Sequence, residues 1–163
     1  ILKQFDDALQ FLTFNNNLRS YFPTAQRIDK YDYPLEAVRE GLLNCLLHRD
    51  YDEDTPTLVK MNRTQLRFIS RGDLFDINLE QALMGSSNSR NGALVQIFHR
   101  LGIAEAYGSG LRKIFKLYEH EELQPEVEAN GFFYLTLPNC NTTRNPYLNL
   151  RSNEGPGLRG AAR

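Results

Sequence analysis

The chain predicts an α+β domain, with helices laid over one face of a mostly antiparallel sheet. Apolar residues recur at helical spacing near the N-terminus, after Pro34 and again over 94–118 of the 163 residues, and two stretches alternate as half-buried strands do. These segments do not follow the regular strand–helix–strand rhythm of a doubly wound fold, which leaves a layered α+β arrangement.

The elements follow in order. Phe5, Ala8, Leu9 and Leu12 stand at i, i+3, i+4, i+7 and predict an amphipathic helix over 3–14, ended by Asn15-Asn16-Asn17. A strand is expected around 18–28, interrupted by Pro23. Pro34 then opens a second helix at a first-turn position, where its missing N–H does no harm. Residues 57–70 read as a β-hairpin, with Val59 and Met61 opposite Leu66 and Phe68 and a turn at Asn62-Arg63. Asn78 and Gln81 form a capping pair for a short helix carrying Leu79, Ala82 and Leu83. The polar run Gly85 to Gly92 is a loop. Leu94, Ile97, Phe98 and Leu101 mark one further helix, and Leu111, Ile114, Phe115 and Tyr118 another. Gly131 to Pro138 alternates as a strand. From Asn139 the periodicity ends and the composition is that of a disordered tail or linker. The organisation expected is an N-terminal helix and connector over 1–30, a core over 31–138 and a tail over 139–163.

Composition narrows the function classes. A net charge of −1 gives no basic footprint for a nucleic-acid binder acting alone, so DNA contact belongs to another domain. Cys45 and Cys140 are far apart and lack a zinc-ligand pattern, which fits a reducing, cytoplasmic compartment. No apolar run approaches the roughly 20 residues that span a bilayer. The start at Ile1 is expected for a piece of a longer protein.

The second helix carries the chemistry. Glu40, Asn44 and His48 lie four residues apart and share one face, while Val38, Leu42, Cys45 and Leu46 occupy the other. An amide oxygen is a competent ligand for Mg²⁺, and a carboxylate one turn earlier can orient a water for attack on a phosphate. The same spacing suits a solvated helix face on which Glu40 complements the helix dipole. His48-Arg49-Asp50 is not a kinase catalytic loop, because Thr55 stands where that pattern needs Asn. Arg49 and Asp50 are expected to pair locally and end the helix. Gly108-Ser109-Gly110 opens a helix and presents a positive dipole end to an anion, or serves as a plain helix-to-helix turn. Gly72 permits close approach of a ligand to the backbone. Arg90 can reach a phosphate from a mobile loop or solvate the surface. No Walker A or dinucleotide-binding glycine pattern occurs.

In order, Tyr33-Pro34 through Arg39-Glu40, Asn44-Cys45, His48-Arg49-Asp50-Tyr51, then Ser87-Asn88-Ser89-Arg90-Asn91, then Tyr107-Gly108-Ser109-Gly110, then Gly131-Phe132-Phe133 resemble one family. It is the small ATPase-fold module of RecG-related proteins classed as ATP-dependent DNA helicases, and of bacterial-type transcriptional regulators with a Schlafen/AlbA-type DNA-binding domain. The resemblance covers about residues 1–138 and implies a GHKL-like two-layer sandwich, similar to gyrase and histidine kinases. It implies ATP or ADP with Mg²⁺ as ligand, Glu40 as catalytic base, and Asn44 as metal ligand. His48, Gly72, Arg90, Asn91, Gly108 and Gly110 would complete the nucleotide site.

One segment departs from that pattern. GHKL proteins read adenine with an Asp in a D-x-G-x-G box, and this chain has Ser70-Arg71-Gly72-Asp73 there. Losing a charged hydrogen bond costs about 1.5–3 kcal/mol. The reading that results is a nucleotide-binding regulatory module of a larger DNA-associated protein, at most a weak ATPase and not a helicase motor on its own. Its alternative is a degenerate scaffold for homodimerisation or interdomain contact.

Overall fold

The computed structural model describes residues 1–22, 24–105 and 108–142. Helix α1 (Leu2–Phe14) buries Phe5 and Leu12 and leaves Phe11 and Phe14 in solvent. Strands β1 (Leu18–Tyr21) and β2 (Ile28–Tyr31) pair antiparallel as a separate ribbon. The single strand expected over 18–28 is therefore two strands and a connection, because the bends at 24–26 turn the chain back on itself.

Helix α2 (Leu35–Leu47) follows, with Pro34 as its N-cap. Strands β3 (Leu58–Met61) and β4 (Gln65–Arg71) form the predicted hairpin. Asn62 Oδ1 accepts from the N–H groups of Thr64 and Gln65, each at 2.9 Å, so the tight turn centres on Arg63-Thr64, one residue later than expected. Helix α3 (Leu79–Leu83) starts at Asn78 with both capping-box hydrogen bonds to Gln81. Helices α4 (Gly92–Arg100) and α5 (Ser109–Leu117) come next, then β5 (Glu126–Ala129) and β6 (Phe132–Pro138).

The main sheet runs β3-β4-β6-β5, antiparallel throughout. Its inner face carries Leu66, Phe68, Phe133, Leu135 and Leu137, all buried under the helices. Each such side chain contributes about 1.5–3 kcal/mol by leaving water. Gly41 lets α2 approach the sheet: a Cβ there would stand 2.6 Å from the Phe68 ring. Phe5 of α1 meets Phe98 of α4 edge to face at 6.1 Å, so α1 shares this core.

The segment expected to begin the tail is partly built into the fold. Asn139, Cys140 and Asn141 are buried. The Asn139 N–H donates to Thr64 O at 2.8 Å and the Cys140 N–H to Asp32 O at 2.8 Å. Asparagine side chains add to these backbone ties, Asn139 Nδ2 donating to Arg63 O and Asn141 Nδ2 to Asp32 Oδ1, each at 2.8 Å, and such polar ties need no apolar periodicity, so the sequence pattern stops before the packed chain does. The rest of the expected tail, 143–163, lies outside the described residues. No helix among the described residues is long and apolar enough to cross a membrane.

Candidate functional site

Helix α2 lies flat on the sheet with Val38 and Cys45 fully buried, and this fixes the direction of its polar stripe. Glu40, Asn44 and His48 all line one cavity together with Arg90, Gly108 and Gly110. Leu43, Leu47 and Phe133 give the cavity an apolar wall, and Asp73, Leu74 and Phe75 another. Five of the residues the sequence nominated for nucleotide binding thus converge on a single cavity with the nominated base.

Gly110 brings the first turn of α5 against the stripe. A Cβ at that position would lie 3.3 Å from Glu40 Oε2 and 3.4 Å from Asn44 Nδ2. The positive end of the α5 dipole is thereby held beside the one buried carboxylate of the cavity wall. Asn44 Nδ2 donates to the Glu40 carbonyl at 3.1 Å, which leaves its Oδ1 as the acceptor open to a ligand.

Glu40 is only 6% exposed. Burial raises its carboxyl above the usual value of 4.5 and outweighs the opposing pull of Arg39 and Lys113. Arg39 Nη1 donates to Glu40 Oε1 at 2.9 Å, and Lys113 Nζ stands 3.9 Å from the same oxygen. Lys113 is itself hydrogen-bonded to Glu105 at 2.9 Å, which raises its ammonium and lowers the Glu105 carboxyl. His48 is pushed below 6.5 by burial, against a hydrogen bond with the Asn88 backbone, so its imidazole is neutral at pH 7.

The loop between α3 and α4 closes the cavity. Gly108 has φ +80° and a Cβ there would stand 1.7 Å from Gly85 O, so two backbones cross at a point where only hydrogen fits. Arg90 holds the far end of the loop: it pairs with Asp50 at 3.4 Å, reaches Asp73 O at 3.3 Å and lies over the Phe75 ring. The cavity, partly open to solvent, measures about 100 Å³. Small-molecule sites commonly occupy roughly 300–1,000 Å³.

Gly72 and Asn91 are not among the lining residues. Gly72 has φ +112° and lets the chain leaving α2 cross the end of β4, where a Cβ would stand 3.0 Å from Asp50 N. Asn91 Nδ2 donates to Leu47 O and Arg49 O, tying the end of α2 to the start of α4. Arg49 and Asp50 do not pair: Arg49 donates to Thr55 O and covers the Tyr51 ring, while Asp50 takes Arg90. A partner forty residues away wins because the Arg90 loop folds back over the end of α2. Asp73 spends both carboxylate oxygens on the N–H groups of Leu74 and Gly131.

Lys113 and Arg39 are the site residues the sequence reading missed. Lys113 stands three residues after Gly110, one turn along the same face, and that spacing was the available signal.

The family described as "Putative ATP-dependent DNA helicase recG C-terminal" matches residues 54–137. The match begins after α2, so the place of Glu40 and Asn44 in the site rests on the geometry above. No curated protein matches the chain. Among solved structures, the DIP2311 protein from Corynebacterium diphtheriae is similar, with a TM-score of 0.77 and 26% sequence identity over 85% of this chain. The chain covers 29% of that protein's length. With a family match over more than half its residues, and with helices packed on an antiparallel sheet as a GHKL-like sandwich requires, the chain belongs to the RecG C-terminal family of ATPase-type domains.

Proposed function

We propose that the chain is a nucleotide-binding regulatory module of a larger, cytoplasmic, DNA-associated protein of the transcriptional-regulator type. Its DNA-binding domain would lie elsewhere in the same protein, in keeping with the −1 net charge of this chain. The observation that carries this reading is the convergence of Glu40, Asn44, Arg90, Gly108 and Gly110 on one cavity at the start of α5. A phosphate chain fits the helix dipole there, and the apolar wall of Leu43, Leu47 and Phe133 suits a base.

Among the described residues no group of three or more His, Cys, Asp and Glu is gathered for a cation. Mg²⁺ often takes only one or two protein oxygens and completes its shell with waters and phosphates. Asn44 Oδ1 fits as that protein donor. When bound, the ion would neutralise charge on the phosphates. Glu40 would accept a proton from water, a task its raised pKa favours, while its bond to Arg39 limits hydrolysis to a weak activity.

A second reading, a scaffold that binds no nucleotide, is favoured by the small cavity and the crossing of Gly85 over Gly108. Thermal unfolding with millimolar ATP or ADP, with and without Mg²⁺, separates the two. Ligand at a hundredfold over Kd stabilises the native state by about 2.7 kcal/mol, raising the midpoint by roughly 5–10 °C. Asn44→Ala should remove the Mg²⁺-dependent part. An unchanged midpoint at every concentration selects the scaffold.

A further inference from the structure

A second concavity of about 650 Å³ lies away from the α2–α5 cavity, between α1 and the β3 edge of the main sheet. Phe11, Leu12 and Asn15 line one part, the consecutive residues 59–63 another, and Asn17, Tyr33 and the Arg19–Asp32 pair complete the lining. Neighbours on a strand point to opposite faces, so a wall made of consecutive residues is the backbone edge itself.

The hairpin register shows which edge groups are available. Asn62 N–H donates to Gln65 O, and Lys60 and Leu58 stand opposite Arg67 and Ile69 at two-residue steps from that bonded pair. The N–H and C=O groups of Val59 and Met61 therefore point away from β4, into the groove. Among the described residues they have no hydrogen-bond partner. β3 is short and carries an exposed lysine, which discourages pairing with a like-charged strand but leaves these groups as a template for one of opposite charge.

We propose that this groove binds an extended acidic segment of a partner protein, which adds as a strand beside β3. Main-chain hydrogen bonds to Val59 and Met61 would hold the segment. Phe11, 66% exposed at the groove wall, would receive one of its apolar side chains. The charge points to acid: Lys60 and Arg63 are exposed at the groove and form no ion pair among the described residues, whereas Arg19 is already held by Asp32 at 2.8 Å. A second copy of this chain fits poorly, because its own β3 would bring Lys60 against Lys60.

The test uses the whole 163-residue chain and a fluorescein-labelled heptapeptide of alternating glutamate and valine. Binding is followed by polarisation, and backbone amide exchange is read at Val59 and Met61. The expected result is binding that slows exchange at both amides by about tenfold or more. Lys60→Glu with Arg63→Glu should weaken binding by about tenfold or more and transfer the preference to a lysine–valine peptide, which also shows that the variant folds. Three outcomes overturn the proposal: no slowing at these amides, binding indifferent to the charge reversal, or slowing that follows protein concentration without peptide, which would assign the edge to a second copy.

Discussion

Gly108→Ala tests the crossing that closes the cavity. The residue has φ +80°, a left-handed conformation that costs a non-glycine residue about 1–2 kcal/mol. Its new Cβ would also stand 1.7 Å from Gly85 O and 2.6 Å from Gly85 C, both backbone atoms that no rotamer change can remove. The loop between α3 and α4 must move, or α5 must. Overpacking of this kind adds about 1–3 kcal/mol, for a total of about 2–5 kcal/mol. Gly102→Ala is the matched control: it too is left-handed, at φ +68°, but no atom of the described residues lies within 4 Å of the position its Cβ would take. That variant should lose about 1–2 kcal/mol, the conformational part alone. At roughly 2–4 °C per kcal/mol, the Gly108 variant should melt several degrees below the Gly102 variant in calorimetry. Equal midpoints would refute the close approach and with it the closed loop.

Three further outcomes follow from the same structure. Because burial raises the Glu40 carboxyl in the folded state, its contribution is fully present below pH 4.5 and is lost as pH rises through the folded value. Urea unfolding across that range should show Glu40→Gln gaining stability relative to wild type at the upper end, and a difference that does not change with pH would contradict the assignment. Asp32 is shifted the other way: burial works to raise it, but hydrogen bonds from Arg19, Asn141 and Asn17 prevail and lower it below 3.8. Asp32→Asn should cost about 2 kcal/mol near neutral pH in denaturant titration, a loss that shrinks as wild-type Asp32 itself protonates in acid. Gly41→Ala, which would stabilise an exposed helix, should here cost about 1–2 kcal/mol net, since its Cβ would meet the Phe68 ring at 2.6 Å; a rise in melting temperature would show that α2 sits farther from the sheet.

How far the sequence carried the account depended on periodicity. Helix α2 was legible because its apolar side and its Glu40, Asn44, His48 stripe are both complete, and β6 because its alternation is unbroken. β5 was not, since Glu126, Val127, Glu128 and Ala129 form a short edge strand with its two charges outward and only the small Val127 and Ala129 inward. The apolar face assigned to α4 was one residue off: Val95 and Phe98 are buried while Ile97 and Leu101 are exposed. Short helices offer too few turns to fix the face. In the site, spacing along α2 and α5 found the residues that point into the cavity. Spacing put Lys113 on the Gly110 face of α5, but it could not show that Lys113 and Arg39 gather around Glu40, nor that Gly72 and Asn91 support backbone crossings, because those roles depend on which segments meet in space.

A nucleotide in the cavity between α2 and α5 would be seen at its own residues in an ATP titration followed by backbone amide NMR. In the presence of Mg²⁺ the amides of Gly108 and Gly110 should shift first, together with those of the 85–91 loop as it opens to enlarge the 100 Å³ cavity. Amides at these positions that stay fixed through millimolar ATP, or shifts confined to another surface, would contradict it.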